Sequence, residues 1–298
     1  MKLATTTGDF AAYAENQAES IQWIANAGFR YLDYNFAIDS KRKVGVFGAD
    51  YNGYIKELKK QSERFGIRFV QAHAPTGKPL MGGGEELIEK TNLCIKACAE
   101  LGISCLVVHS GYAPNLTKQE TIEKNKAFYL PILETAERYG INILTENFNR
   151  MTPNGIYWID NAKDLLQLIE YVDHPLFEAV WDTGHANLLD IPQDESLRLL
   201  GKHIKALHVQ DNLGDDDTHL APYFGTMNLD CLMHGLSEIG YNGYFTFESV
   251  FFVSQGRRRI YEKDTRALSV PLSVQCKAEE LLYEIGRSLL RSYDRFEE

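Results

Sequence analysis

The chain has 298 residues, 44% of them hydrophobic and 11% aromatic, which is ample apolar material for a folded core and excludes a disordered segment. Its 31 basic and 41 acidic residues leave a formal charge of −10, which argues against a general affinity for nucleic acid or anionic membranes. No run of about 18 apolar residues is present, so no spanning helix is expected, and the N-terminal stretch lacks the continuous apolar run of a signal peptide.

Along the chain, strand-like runs fall near 2–6, 30–34, 67–73, 103–109, 141–146, 177–182, 204–208 and 244–248. Helical periodicity fills the intervals near 18–27, 51–65, 84–101, 119–139, 161–172, 194–201, 228–239 and 275–291. Gly28, Gly66, Gly102 and Gly140 lie 38, 36 and 38 residues apart. Each follows a helical pattern and precedes an apolar run, the position where a helix closes. Pro131 should kink or split the helix at 119–139. The three glycines at 82–84 open a helix, but they lack the spacing and preceding strand of a phosphate cradle and read as a flexible loop. A long connection, roughly 250–274, carries Arg257, Arg258 and Arg259, which read as a solvated basic turn or a clamp for an anionic group.

Strands alternating with helices imply repeated βαβ units and a parallel sheet, an α/β fold. Eight such units predict a (β/α)8 barrel over an open doubly wound sheet, since no Gly-x-Gly-x-x-Gly follows the first strand. With no linker composition, 1–298 reads as one domain. The five cysteines (Cys94, Cys98, Cys105, Cys231, Cys276) lie in apolar surroundings without a Cys-x-x-Cys and read as reduced residues of a cytoplasmic protein.

Six of these runs end on a metal-type ligand: His73, His109, Glu146, Asp182, His208 and Glu248. A single histidine at a strand end is as readily a satisfied polar residue, and a single acid there could cap the next helix. Six in phase with the fold are harder to explain by packing. The strand ends of a barrel converge on one face, where its chemistry is located. Glu146, Asp182, His208 and Glu248, from the last four strands, would form a hard oxygen and nitrogen donor set. It suits one divalent ion, Mn²⁺, Co²⁺, Mg²⁺ or Zn²⁺. Grouping such carboxylates without a cation would cost heavily through repulsion.

The segments TEN (145–147), WDTGH (181–185), HVQDN (208–212), DTHL (217–220) and FES (247–249) resemble the xylose isomerase-like barrels. These include the sugar phosphate isomerases and epimerases and the apurinic endonucleases, and the resemblance runs from about residue 20 to 250. It implies that Glu146, Asp182, His208 and Glu248 bind one metal, and that Glu146 and Glu248 act as the acid/base pair. The implied reaction is isomerisation or epimerisation of a sugar or sugar phosphate, by proton abstraction next to a carbonyl through a metal-stabilised ene-diolate. A sugar-acid or inosose dehydratase on the same metal site is the nearest alternative.

In the endonuclease branch, residues matching His73, His109, His185, Asp217 and His219 complete a three-metal cluster; in a sugar enzyme they would contact substrate. Asn149 and Arg150 match the Asn-Arg that follows the metal glutamate of free-ketose 3-epimerases, whereas NFNRM replaces the glycine-rich loop of the endonucleases. The expected partner is a small-molecule carbohydrate rather than nucleic acid, and a homo-oligomer is compatible with the sequence.

Overall fold

The computed structural model describes residues 1–149, 159–189, 191–249, 253 and 270–298. Arg150, Arg257, Arg258, Arg259 and most of the expected 250–274 connection lie outside the described residues. Eight strands alternate with helices. The first half contains β1 (Lys2–Thr6), α1 (Gln17–Ala27), β2 (Tyr31–Asn35), α2 (Phe36–Arg42), α3 (Tyr51–Phe65), β3 (Arg68–His73), α4 (Gly84–Leu101) and β4 (Cys105–Val107). Next come α5 (Lys118–Tyr139), β5 (Asn142–Glu146), α6 (Ala162–Val172), β6 (Phe177–Asp182), α7 (Thr183–Leu188) and α8 (Gln193–Leu200). The last elements are β7 (Ile204–His208), α9 (Leu229–Glu238), β8 (Tyr244–Thr246) and α10 (Leu272–Ser292).

Local chemistry sets the element ends. α5 starts in a capping box, where the Thr117 side chain accepts from the Glu120 N–H and the Glu120 carboxylate accepts from the Thr117 N–H. It stops at Gly140, whose φ of 68° lies in the left-handed region that a side chain disfavours. α5 runs unbroken through Pro131, so the expected split does not occur. Its buried face, including Phe128, Tyr129, Ile132 and Leu133, supplies enough packing to offset the missing N–H, a loss of about 3 kcal/mol in a helix interior. Gly84 opens α4 as expected, and Pro79–Gly83 before it is an irregular turn in which Met81 and Gly82 depart from helical geometry.

The strands lie parallel in the order β7-β6-β5-β4-β3-β2-β1-β8, each hydrogen-bonded to the next. β7 returns to β8 through a parallel bridge between Val209 and Phe247, which closes the barrel. Between sheet and helices lies the main apolar core, with Trp181, Tyr129, Phe177, Phe245 and Phe247 fully buried. A second cluster (Cys105, Val107, Leu144, Val180, Ala206) comes from the strands β4 to β7. Two positions further along β5, β6 and β7 come Glu146, Asp182 and His208, so those side chains share the parity of this inner cluster.

Two register shifts matter for the site. Leu32 pairs with Phe69 but Asp33 with Gln71, so β3 carries one extra residue, Val70. Ala179 pairs with Ile204 but Val180 with Ala206, so Lys205 is extra in β7. A one-residue shift changes which face each later side chain occupies, and the second shift brings His208 opposite Asp182. β4 and β8 are shorter than expected, leaving His109 and Glu248 each two residues beyond a strand end.

Candidate metal centre

Glu146, Asp182 and His208 end β5, β6 and β7, and Glu248 follows β8 across the closing bridge. One donor atom from each lies within 4.8 Å of those of the other three. His208 Nδ1 is 2.8 Å from Glu146 Oε1 and 3.6 Å from Glu248 Oε2. Asp182 does two jobs. Its Oδ1 caps α7 by accepting from the His185 N–H at 2.6 Å, while its buried Oδ2 has no hydrogen-bond partner among the described residues. Asn147 fixes the Asp182 backbone from both sides, donating to its carbonyl at 2.9 Å and accepting from its N–H at 2.7 Å.

The other expected residues gather around this group. His109 Nε2 lies 2.8 Å from Glu146 Oε2, and His73 Nε2 lies 2.9 Å from His109 Nε2. His73, His109 and Glu146 thus form a second compact donor set that shares Glu146 with the first. His185, with Nδ1 3.0 Å from the Asn147 carbonyl, turns Nε2 toward Asp217 Oδ2 at 3.4 Å. His219 approaches the other Asp217 oxygen at 3.5 Å, with its Nδ1 on the Glu248 carbonyl at 2.7 Å. These three are joined pairwise through opposite oxygens of Asp217. All nine expected residues are therefore close together, in two compact sets and one looser chain.

The electrostatics describe a crowded anionic pocket. Burial pushes Asp182 up to about 7, with Glu146, Glu248 and Asp217 repelling its charge and His185 opposing that rise. Burial would raise Glu146 too, but the His208 and His109 imidazoles hold it well below the usual carboxylate range. Burial disfavours charge on His208 and His185, yet the surrounding carboxylates raise both well above the usual histidine value. His219 rises to about 10 against the same burial, mainly through Asp217. Protons on these histidines do the neutralising that a metal ion would do. Together with the orphaned Asp182 Oδ2, this is how a donor set suited to a divalent cation behaves, and the residues fit one.

The cavity above the cluster measures about 190 Å³. Phe148 forms one wall, its ring 4.2 Å from that of His185 and 5.3 Å from that of His109. Asn35, Ala37 and Thr76 line another part of it. Asn35 was within reach of the sequence reading, because a strand ending at 34 stops one residue short of the polar residue that closes β2. Gln210, which donates to Asp217 Oδ1 at 2.8 Å and approaches Asp182 Oδ1 at 3.3 Å, lay inside a quoted motif without any spacing to mark it.

An uncharacterized protein of Methanocaldococcus jannaschii is 32% identical over 207 residues, covering 65% of this chain and 69% of its own length. Fructoselysine 3-epimerase of Shigella flexneri is 28% identical over 206 residues, covering 66% of this chain and 74% of its own. Among solved structures, an IolI protein with a bound zinc atom superposes with a TM-score of 0.75 at 16% identity, over 98% of this chain and 99% of that one. The family model described as xylose isomerase-like TIM barrel matches residues 21–268, and the chain belongs to that family.

Proposed function

We propose that the chain is a divalent-metal-dependent sugar isomerase or epimerase that moves a proton on a carbon next to a carbonyl. The observation that carries this reading is the convergence of Glu146 and Glu248 on one buried donor set, with His208 Nδ1 2.8 and 3.6 Å from them. Similarity to fructoselysine 3-epimerase and to D-psicose 3-epimerase of Ruminiclostridium cellulolyticum supports sugar chemistry of this general kind. A divalent ion held by Glu146, Asp182, His208 and Glu248 would supply Lewis-acid stabilisation of the charge that develops on the substrate oxygens.

The chain's own residues supply the rest. Glu146, held ionised by two imidazoles, and Glu248, which reaches the cavity, are the two carboxylates able to accept and return the proton. His109, His185 and Asn35 line the cavity with groups that can hold substrate hydroxyls. The Phe148 ring excludes water on one side and limits the size of the sugar. The buried free thiols of Cys94, Cys98 and Cys105 support a reducing, cytoplasmic setting.

The test is hydrogen exchange into substrate in D₂O across ketoses, ketose phosphates and inososes, with the native metal content measured alongside. Glu146→Gln and Glu248→Gln should each slow exchange by about 10²- to 10⁴-fold. Undiminished exchange in both variants, or a purified protein that binds no divalent ion, would refute the reading. Loss of the mass of water from the product would select the dehydratase variant. The His73–His109–Glu146 set favours one further reading, a phosphodiester-cleaving centre with more than one ion. It requires more than one bound metal per chain, countable by anomalous scattering.

A further inference from the structure

Beneath the donor set, the bore of the barrel contains a polar chain that the reaction outlined above does not use. Asp33, from the middle of β2, is buried with its carboxylate directed into that chain. Its Oδ2 accepts from Gln71 Nε2 at 2.7 Å and lies 3.5 Å from His208 Nε2. The Gln71 amide is held in turn by Thr246 from β8, which donates to Gln71 Oε1 at 3.0 Å, and its Nε2 is also 3.5 Å from the Leu207 carbonyl. Four strands, β2, β3, β7 and β8, meet through these side chains. The shift at Val70 makes the meeting possible, because an unbroken ladder would oppose Asp33 to Val70 and not to Gln71.

The donor and acceptor roles are determined. A carboxylate only accepts, so the Gln71 atom facing Asp33 is its NH₂ and the atom facing Thr246 is its carbonyl. By the same argument, the His208 nitrogen facing Asp33 must carry a proton. Without an ion Nδ1 also faces carboxylates, Glu146 and Glu248, and carries a proton; an ion taking the place of that proton would leave Nε2–H on Asp33 and Nδ1 as the nitrogen free to bind. A carboxylate buried in a barrel with no arginine or lysine contact among the described residues is expensive unless a specific partner uses it.

We propose that Asp33 is a positioning residue for the metal centre: by holding His208 Nε2–H it fixes the ring orientation and tautomer that present Nδ1 to the ion. This inference rests on His208 being a metal ligand. Gln71 and Thr246 act one step further out, keeping Asp33 from turning toward another donor. Carboxylates placed behind a ligand histidine in this way typically strengthen metal binding by about 10- to 100-fold.

The experiment titrates the metal-free protein with Co²⁺ by calorimetry and visible absorption, for the wild type, Asp33→Asn and Asp33→Leu. The apo far-UV circular dichroism of each is recorded to show that it is folded. Both variants should bind Co²⁺ about 10- to 100-fold more weakly, while their apo spectra match the wild type. If Asp33→Leu does not fold, the near-isosteric Asp33→Asn carries the test. In parallel, ¹⁵N-histidine spectra of the Zn²⁺-loaded wild type should show His208 bound through Nδ1 with Nε2 protonated. Wild-type Co²⁺ affinity in the folded variants, or ligation through Nε2, would overturn the role of Asp33 and leave the metal-site reading intact. If the wild type binds no Co²⁺, the metal-site reading fails and this inference fails with it.

Discussion

Asp182 shows how much one residue is asked to do. Its carboxylate caps a helix with one oxygen and leaves the other buried without a partner among the described residues, and burial raises its pKa to about 7. A cation must displace the proton held there and the one on His208, whose value is raised well above normal. Metal affinity should therefore rise with pH from about 6 upward, with proton release measurable by calorimetry in buffers of different ionisation enthalpy. Gly184 tests the same corner. A Cβ there would lie 2.1 Å from the Gln210 amide, which cannot swing aside without giving up Asp182 and Asp217. Gly184→Ala should lower metal affinity at least tenfold while costing about 1–2 kcal/mol in urea-measured stability. The proposed ligand residues stood out in the sequence because each punctuates an apolar run. Asp33 and Gln71 were not, since both lie inside strands and their meeting depends on a register shift that leaves no compositional trace.

Among the elements, α10 has the least predictable attachment. Its Glu279 is buried and interacts with the buried Asp9, which accepts from Thr5 Oγ1 at 2.5 Å. Burial and mutual repulsion raise Glu279 well above the usual carboxylate value, and burial raises Asp9 to about 7. Both folded-state values exceed those of the unfolded chain. The pair's contribution to stability is therefore complete below about pH 4 and is lost as pH rises through the folded values. Glu279→Gln keeps a donor toward Asp9 without needing a proton. It should leave stability near pH 5 little changed and raise it by about 1–3 kcal/mol at pH 8.5, read from urea midpoints. A contact between residues 9 and 279 has no signature in a single sequence. The split expected at Pro131 failed for the opposite reason, because a strong local signal was overridden by the packing of the helix around it.

For the whole molecule, the alternation of strands and helices was enough to give the barrel, since eight βα units of this length close in few other ways. The proposed ligands come from β5, β6, β7 and the segment after β8, which makes the site a property of the closed barrel, so metal and fold should stabilise each other. Removing the ion with EDTA should lower the thermal midpoint, by the equivalent of about 2.7 kcal/mol for an ion present at 100 times its Kd. Scanning calorimetry with and without chelator would show it, and identical midpoints would indicate that the ion is not bound by the native state.

The closure itself has a mechanical consequence. The Val209–Phe247 bridge between β7 and β8 is made by the bonds from Val209 N to Thr246 O at 2.7 Å and from Glu248 N to Val209 O at 2.9 Å. The seam is thus fastened at its upper rim, between His208 and Glu248, like a garment held by its top button. Amides on either side of that seam should exchange with deuterium sooner than those of β5 and β6 in metal-free protein, and slow most when the ion returns.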